Sequence, residues 1–431
     1  MRYTPPNKSL YIENRKKFIQ LLKPGSMALF VSNDIMPTNA DGSMGFRQNS
    51  DLLYLSGIDQ EESILLLFPD VKDGKHKEVL FLKETSELIA IWEGEKLSKE
   101  EAKERSGIDN VYWLQDFERV LKTLIFQVEY IYLNRNEHTR RYIDTQTAED
   151  RFALNIMEKY PLHKVERSAP LMHRIRSRKS PLEIEMIQQA CDITEKGFRR
   201  LLSFVKPGVM EYEIEAELVH EFIRNRSKGF AYGPIIASGY NACVLHYVDN
   251  NKPCKDGDVL LLDVAAEYGN YASDLTRAIP VNGRFTPRQK QVYNAVLKVM
   301  RAAISMLVPG NTFDKYNRAV GELMTEELLQ LGLITSDEVK NQKADSPAYK
   351  KYFMHGTSHF LGLDVHDVGF FHEPMEEGMV FTCEPGIYIR EESLGIRLEN
   401  DILITKSGPL DLMKNIPLEA DEIEELMNAG K

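Results

Sequence analysis

The sequence predicts an α/β protein, of the α+β type, with two domains, the second of which is built from two similar halves. Three observations support this. The length of 431 residues exceeds what one hydrophobic core usually serves. Short apolar strands alternate with helices up to about residue 168. Beyond that point, a pair of long helices precedes a pair of acid-bearing strands, and this arrangement occurs twice.

The first part of the chain contains apolar runs of strand length at residues 26–31, 63–68 and 78–82. Their alternation with helical segments favours an α/β domain. One segment, Phe-Arg-Gln-Asn-Ser-Asp at residues 46–51, is unusually polar. Its spacing is compatible both with side chains that face a substrate and with side chains that cap local turns.

A domain boundary is predicted near residues 168–180, giving domains at 1–172 and 173–431. The basic connector at residues 174–179 leads to Ser180, Pro181 and Glu183, which form a strong helix start: an N-cap serine, a proline in the first turn and a glutamate three residues after the cap. The helix stops at a Pro-Gly pair, 207–208, and a similar helix stops at 309–310. This repetition predicts a pseudo-twofold domain with its site where the halves meet.

The first pair of strands, at residues 260–277, holds one aspartate on each strand, Asp263 and Asp274. With Tyr268 and Gly269 as a two-residue loop, pairing places Asp263 directly opposite Asp274 on one face. Two carboxylates in that position repel each other, and burial beside leucine and valine raises the cost further. The sequence therefore predicts a neutralising cation or proton at this place.

The second pair of strands repeats the feature with Glu384 and Glu399, and three histidines lie at 355–366, between the two strand pairs. Four carboxylates and a histidine form a mixed oxygen and nitrogen ligand set that suits Mn, Co, Zn or Fe, and one structural zinc would not use so many carboxylates. The natural occupant is a pair of divalent ions about 3.5–4 Å apart.

The net charge, the hydropathy pattern and the cysteine content limit which partners and which cellular compartment are expected. A net charge of −11 argues against a nucleic-acid partner, because a phosphate-binding face needs a basic surplus. No apolar run approaches the roughly 20 residues that span a bilayer, and the first residues do not resemble a signal peptide. The four cysteines form no CxxC pair, which favours reduced thiols and a cytoplasmic location.

Residues from about 180 to 431 resemble the pita-bread metallopeptidases, the family of methionine aminopeptidase, prolidase and aminopeptidase P. The five ligands of that family, Asp, Asp, His, Glu and Glu, are matched in order by Asp263, Asp274, His359, Glu384 and Glu399. The leading domain, with the polar segment at 46–51 and Trp-Glu-Gly at 92–94, is similar to the creatinase-like amino-terminal domain of aminopeptidase P. The resemblance covers essentially the whole chain.

The resemblance implies two divalent metal ions, with Mn²⁺ as the first expectation and Co²⁺, Zn²⁺ or Fe²⁺ as alternatives. It implies that Asp274 and Glu399 bridge the two ions. Asp263 would complete the coordination of one ion, and His359 with Glu384 would complete that of the other.

The resemblance also implies roles in catalysis and substrate binding. Glu384 would move a proton from water to the leaving nitrogen, and His366 would donate a hydrogen bond to the developing oxyanion. His246 and His355 would contact the substrate or line its site, and Arg397 would support the site. The residues alone also allow simpler roles: His366 as a solvated loop histidine, and Arg397 as a positive charge that balances nearby carboxylates. For Arg397 this role and a supporting role in catalysis are compatible.

The expected function is that of a cytoplasmic, dinuclear exopeptidase that hydrolyses the bond between an amino-terminal residue and a following proline. The expected partners are peptides with proline at the second position, with no nucleic acid and no membrane, and the resemblance implies a homodimer or homotetramer. Prolidase, an Xaa-Pro dipeptidase, is the alternative, because the ligand set does not determine substrate length. A non-catalytic peptide-binding module is the alternative from another class, and such a module would not need two ions.

Overall fold

The computed structural model describes residues 2–343 and 345–429. The chain divides into two compact units: an amino-terminal unit, Pro5–Arg176, and a carboxyl-terminal unit, which comprises Ser177–Lys431 together with Met1–Thr4. Both units mix helices and strands, so the predicted fold class is confirmed.

The amino-terminal unit is built on a six-stranded sheet with the strand order β4-β3-β2-β1-β5-β6. Strand β2 runs antiparallel to β1 and β3, and the other neighbouring pairs are parallel. The apolar runs predicted as strands form β1, β2 and β3. The elements of this unit are α1 Ser9–Ile19, β1 Ser26–Val31, α2 Ser50–Ser56, β2 Ser63–Leu67, β3 Glu78–Leu82, α3 Glu87–Glu93, α4 Lys99–Ser106, β4 Asn110–Trp113, α5 Phe117–Leu124, β5 Tyr130–Leu133, α6 Ala148–Lys159, β6 Lys164–Arg167 and α7 Ala169–Arg176.

The polar segment at residues 46–51 makes local structural bonds. The Asn49 side chain caps α2 by accepting hydrogen bonds from the backbone N–H groups of Asp51 and Leu52. Gln48 is buried and donates to the carbonyls of Ile58, at 3.0 Å, and Gln60, at 2.7 Å. The sequence left capping and substrate contact open for this segment, and the structure provides direct support for capping.

The carboxyl-terminal unit contains the predicted repetition of a helix pair followed by strands. Helices α8 and α9 precede the antiparallel sheet β11-β8-β7, and α10 and α11 precede the antiparallel sheet β12-β15-β16. Its elements are α8 Pro181–Phe204, α9 Glu211–Arg224, β7 Ile235–Ser238, β8 Val259–Asp263, β9 Glu267–Tyr268, β10 Tyr271–Ala272, β11 Thr276–Pro280, α10 Pro287–Met306, α11 Phe313–Gln330, α12 Ser336–Lys340, β12 Val380–Cys383, β13 Gly386–Ile389, β14 Leu394–Arg397, β15 Asn400–Thr405, β16 Gly408–Asp411 and α13 Ala420–Asn428.

The start of α8 is the capping box that the sequence predicts. The Ser180 hydroxyl accepts a hydrogen bond from the Glu183 N–H, and the Glu183 carboxylate accepts one from the Ser180 N–H at 2.8 Å. One side of α8 is buried, including Ile187, Phe198 and Leu201. The helix contacts α9, α13 and the short strands β9 and β10.

The two three-stranded sheets meet at one bridge. Thr276, the first residue of β11, pairs in antiparallel fashion with Glu399, and the Glu399 N–H donates to the Thr276 carbonyl at 3.0 Å. This bridge brings the acid-bearing strands of the two halves into contact. The predicted meeting of the halves at the acids is thereby observed.

All four cysteines are free and buried, in agreement with the absence of a disulfide framework in the sequence. No helix in the described part of the chain combines the length and the apolar character that crossing a membrane requires.

Candidate metal centre

The hairpin of the first half turns one residue later than the sequence analysis predicts. Tyr268 pairs with Tyr271, so Gly269 and Asn270 form the turn in place of Tyr268 and Gly269. Both turn residues have positive φ, 60° for Gly269 and 68° for Asn270. A tight primed turn requires such angles, and asparagine adopts them at much lower cost than tyrosine.

The predicted pairing of the two aspartates is therefore wrong. Asp263, the last residue of β8, lies opposite Thr276, and Asp274 lies in the break between β10 and β11. A shift of the turn by one residue moves the partner of Asp263 by two positions, from Asp274 to Thr276. Because side chains alternate with period two, Asp274 and Thr276 belong to the same face of the strand.

Three of the predicted ligands form a compact cluster. Asp274, His359 and Glu399 are buried, and each offers a ligand atom within 4.8 Å of those of the other two. The His359 Nε2 atom lies 3.4 Å from Asp274 Oδ2 and 3.5 Å from Glu384 Oε1. The structure thus brings three of the five predicted ligands together and places Glu384 beside the His359 of this cluster.

Asp263, the fifth predicted ligand, joins the cluster through Arg397. Its Oδ2 atom accepts a hydrogen bond from the Arg397 guanidinium at 2.6 Å. Its Oδ1 atom is buried and has no hydrogen-bond partner among the described residues. An unpartnered carboxylate oxygen beside three further acids is costly unless a cation binds it. This oxygen and the mixed carboxylate and imidazole donors fit a divalent metal.

Neighbouring groups orient the ligand atoms. The His359 Nδ1 atom lies 3.0 Å from the Phe360 carbonyl, so Nδ1 carries a proton and Nε2 is the ring nitrogen that faces the acids and would ligate a metal. Burial opposes charging of this imidazole, but the hydrogen bond to Asp274 and the charges of Glu384 and Asp274 raise its pKa. Glu399 Oε2 accepts a hydrogen bond from the Thr276 hydroxyl at 2.6 Å. The Asp274 backbone N–H donates to Asp401 Oδ2 at 3.0 Å. The side chains of His359 and Glu399 and the backbone of Asp274 are therefore each held by a hydrogen bond to a neighbouring group.

The electrostatics of the metal-free cluster favour binding of a cation. Burial raises the pKa of Asp263, and Asp274 adds to that rise. Burial also raises the pKa of Glu399 well above its usual value, with further contributions from Asp274 and Glu384. Burial raises the pKa of Glu384 to about 7, although His359 and Arg397 oppose the rise. A bound cation would relieve this mutual repulsion.

His355 and Arg397 meet at a tyrosine that the sequence analysis did not select. The Tyr388 hydroxyl accepts from Arg397 at 2.9 Å and lies 2.8 Å from His355 Nε2. Because His355 Nδ1 lies 2.8 Å from the Gly356 carbonyl, Nδ1 holds the proton and Nε2 accepts from Tyr388. Burial, together with the charge of Arg397, lowers the pKa of His355 to about 4, so the imidazole is neutral near pH 7.

The other two predicted histidines lie at the edge of the cluster. The His366 ring stands against the His359 ring, with centroids 4.4 Å apart and an interplanar angle of 81°. His246 is exposed on the loop that follows β7, and its charge contributes to the lowered pKa of His355. The structure places His366 in contact with a ligand and His246 nearby.

Sequence reasoning missed several other groups around the acids. The Tyr232 hydroxyl is buried and makes no hydrogen bond of good geometry in the described ranges, but it lies close enough to Asp263 for each group to shift the pKa of the other. Burial raises the pKa of Tyr232, and the charges of Asp263 and Asp274 add to the rise. No local pattern distinguishes Tyr232 from a core tyrosine. Asp401 follows Glu399 by two positions, so strand alternation was a signal that could have selected it.

Comparisons with known proteins agree with this geometry. Residues 185–406 match the model of metallopeptidase family M24, and residues 11–132 match that of the aminopeptidase P amino-terminal domain. A Xaa-Pro aminopeptidase of Haemophilus influenzae is 35% identical, over 98% of this chain and 97% of its own length. The structure of Pseudomonas aeruginosa aminopeptidase PepP is 32% identical with a TM-score of 0.90, covering 100% of this chain and 99% of that one. Escherichia coli aminopeptidase P with the inhibitor Pro-Leu is 32% identical with a TM-score of 0.89, covering 99% of each chain.

Proposed function

Because the chain belongs to metallopeptidase family M24, we propose that it is a metal-dependent Xaa-Pro aminopeptidase, which removes the residue that precedes proline at the amino terminus of a peptide. The observation that carries the proposal is the buried cluster of Asp274, His359 and Glu399, with Glu384 and Asp263 beside it. Full-length similarity to a Xaa-Pro aminopeptidase supports the substrate class.

Five side chains would hold two divalent ions. Asp274 and Glu399 would bridge the ions, Asp263 would complete the coordination of one, and His359 and Glu384 that of the other. The buried Asp263 oxygen without a hydrogen bond, and the His359 Nε2 atom that faces Asp274 and Glu384, support a role for these two residues as ligands. When bound, the ions act as Lewis acids on the scissile carbonyl and lower the pKa of water.

The remaining steps of hydrolysis are proposed for the chain's own residues. Glu384 takes a proton from the attacking water and delivers it to the proline nitrogen as the peptide bond breaks. His366 donates a hydrogen bond to the oxygen that becomes negative. His246 and His355 contact the peptide. Arg397 keeps Asp263 oriented through the 2.6 Å hydrogen bond.

The metal, the compartment and the assembly are proposed on narrower grounds. We propose Mn²⁺ as the native metal, since carboxylate and imidazole donors suit it. The buried free cysteines support a cytoplasmic location. From the resemblance we propose a homodimer or homotetramer, which light scattering of the purified protein tests. From the sequence we propose domains at 1–172 and 173–431. We also propose that neither nucleic acid nor membrane is a partner.

The proposal is tested by hydrolysis of Ala-Pro and of a longer Ala-Pro-Xaa peptide, each with added Mn²⁺ and with a chelator. Chelator-sensitive release of alanine from the longer peptide is the expected result. Cleavage of the dipeptide alone would make the protein a prolidase. Cleavage of neither by protein that contains two ions would contradict the proposal and favour a peptide-binding module.

A further inference from the structure

Glu211, the first residue of α9, is a fully buried acid outside the metal centre. Its Oε1 atom accepts from the Ser238 N–H at 2.9 Å and from the Asn241 amide at 3.5 Å. Its Oε2 atom accepts from the Tyr247 hydroxyl at 2.7 Å and from the Lys252 N–H at 2.9 Å. Both oxygens of the carboxylate are therefore occupied by donors.

None of these four donors is a charged group, so Glu211 is not half of an ion pair with any of them. A buried carboxylate is expensive unless donors satisfy its lone pairs, and this one also lies in the first turn of a 14-residue helix, which favours a negative charge. All four partners need an acceptor. A glutamine amide would direct its N–H₂ group toward one pair of donors. Those two donors would then face another donor and would have no acceptor.

The four donors enclose one loop. Ser238 is the last residue of β7, and Lys252 lies beyond the far end of the segment 239–251, which we call the His246 loop. Asn241 and Tyr247 lie within it. One carboxylate thus binds the start, the middle and the end of the loop, which also contains a short 3₁₀ helix at Gly239–Cys243.

The inner side of the His246 loop packs against the metal centre. Ala242, Cys243 and Tyr247 are buried in a cluster with Tyr388, the tyrosine that joins His355 to Arg397. The loop backbone at Ala242 lies very close to strand β14: a Cβ atom added at Gly395 would lie 2.2 Å from the Ala242 carbonyl oxygen.

Part of the loop is exposed. His246 lies in the sequence between two exposed valines, Val244 and Val248, which are 44% and 62% accessible, and it is close enough to the centre for its charge to lower the pKa of His355. The outward imidazole and the apolar side chains on either side of it form a surface suited to a peptide's backbone and its apolar side chains. Asn250 anchors the far end of the loop to Glu215 and to the Pro234 carbonyl, whereas the anchors on both sides of His246, Asn241 and Tyr247, bond Glu211.

We propose that Glu211 is a positioning residue for substrate binding: its buried carboxylate holds the His246 loop in the conformation that presents His246 and the adjoining valines to the peptide. This inference rests on the proposed function for the identity of the ligand, a peptide with proline at the second position. The positioning itself is a property of the fold. The carboxylate binds the loop and does not touch the reacting atoms.

The test compares Glu211→Gln with Glu213→Gln in the metal-loaded full chain. Glu213 lies in the same helical turn, is exposed and closes the capping box with the Met210 N–H, a role that glutamine also fills. In Glu211→Gln, amide hydrogen exchange over residues 239–252 should accelerate, and KM for Ala-Pro-Xaa should rise about tenfold with metal content and kcat nearly unchanged. Glu213→Gln should match the wild type in all four measurements.

A milder variant keeps the proposal testable if Glu211→Gln does not fold. Tyr247→Phe removes one donor and leaves the carboxylate, so it should change loop exchange and KM in the same direction by a smaller factor. Combining the two substitutions should add little to Glu211→Gln, because both act on one bond.

The outcomes separate the inference from the proposed function. Loop exchange at the wild-type rate in both Glu211→Gln and Tyr247→Phe overturns the positioning role. Faster loop exchange with unchanged KM overturns the contribution of the loop to peptide binding. A wild-type protein that cleaves neither Ala-Pro nor Ala-Pro-Xaa overturns the proposed function, while the exchange measurement still decides the positioning role.

Discussion

At the scale of single residues, the acids of the metal centre lie at breaks in the strands. Asp274 precedes β11, Glu384 falls between β12 and β13, and Glu399 falls between β14 and β15. A regular strand sends successive side chains to opposite faces at fixed intervals, whereas a break allows a side chain to turn toward a common point. Convergence of the acids therefore depends on these irregularities.

Asp274→Asn tests the bridging role at this scale. The substitution removes a negative charge while preserving side-chain size, so we expect loss of one or both ions and a fall in kcat/KM of at least about 100-fold. Metal analysis after dialysis, together with Ala-Pro-Xaa hydrolysis, measures both. Full activity with two ions still bound would contradict the bridging assignment.

His366→Ala tests the oxyanion donor. Because His366 contacts the His359 ring but is not assigned to the metal, we expect two ions to remain bound. The rate constant kcat should fall about 10²–10³-fold, equivalent to about 2.7–4 kcal/mol. Loss of metal in this variant would instead make His366 a ligand.

At the scale of elements, α8 is joined to the Asp274 hairpin by a closed set of hydrogen bonds between buried groups. The Ala266 N–H donates to the Thr194 hydroxyl at 2.8 Å, which lies 2.9 Å from the Ser273 hydroxyl. The Ser273 hydroxyl in turn donates to the Ala266 carbonyl at 2.8 Å, so the Thr194 hydroxyl must donate to Ser273. These bonds lie just before Asp274, where the hairpin is interrupted between the β9–β10 pair and the β8–β11 pair.

Thr194→Val should therefore weaken the hairpin. Valine has nearly the same shape as threonine, but it leaves the Ala266 N–H without its acceptor and the Ser273 hydroxyl oxygen without its donor. We expect the free energy of unfolding to fall by about 1–3 kcal/mol. Urea unfolding of the metal-free protein measures this change. Thr194→Ser keeps the hydroxyl and should retain most of the stability. A loss of stability in Thr194→Ser with none in Thr194→Val would show instead that packing of the methyl group is what matters at this position.

A buried ion pair supports the loop that contains His366. Lys179 Nζ lies 3.1 Å from Asp367 Oδ2, and both side chains are almost inaccessible to solvent. The Gly362 backbone passes so close that a Cβ atom there would lie 2.1 Å from that Asp367 oxygen. Lys179 precedes α8 in the chain, so the start of this helix and the histidine loop are held together.

At the scale of the whole molecule, every predicted site residue lies in the carboxyl-terminal unit, including all five ligands. The acids come from both halves of that unit, with Asp263 and Asp274 in the first and Glu384 and Glu399 in the second. Ions bound between the halves would therefore be lost on unfolding, and metal binding should stabilise the unit as a whole.

Metal addition tests this coupling. At a free Mn²⁺ concentration about 100 times its dissociation constant, the folded state gains about 2.7 kcal/mol for each site, so the melting transition of the carboxyl-terminal unit should rise. Calorimetry with Mn²⁺ and with a chelator measures the shift, and Asp274→Asn is the matched control with little or no shift. An unchanged transition in metal-loaded wild type would contradict binding between the halves.

Local chemistry determined much of this protein from the sequence alone. The N-cap serine and first-turn proline determined the start of α8, and the Pro-Gly stops limited the long helices, because caps and breakers act within a few residues. Acids inside apolar runs indicated a cation, since burying them without one costs too much. The order and type of the five candidate ligands were likewise available from the sequence.

The tertiary structure decided what depends on contacts between distant segments. It set the turn at Gly269 and Asn270 and thereby the partner of Asp263. It also placed Tyr388 between His355 and Arg397, a contact that the local sequence around these residues does not indicate. Glu211 looks like an ordinary acid in the first turn of a helix until folding surrounds it with donors from a loop 27 to 41 residues away. Sequence patterns report local preferences, whereas the surroundings of a buried polar group are defined only when the chain has folded.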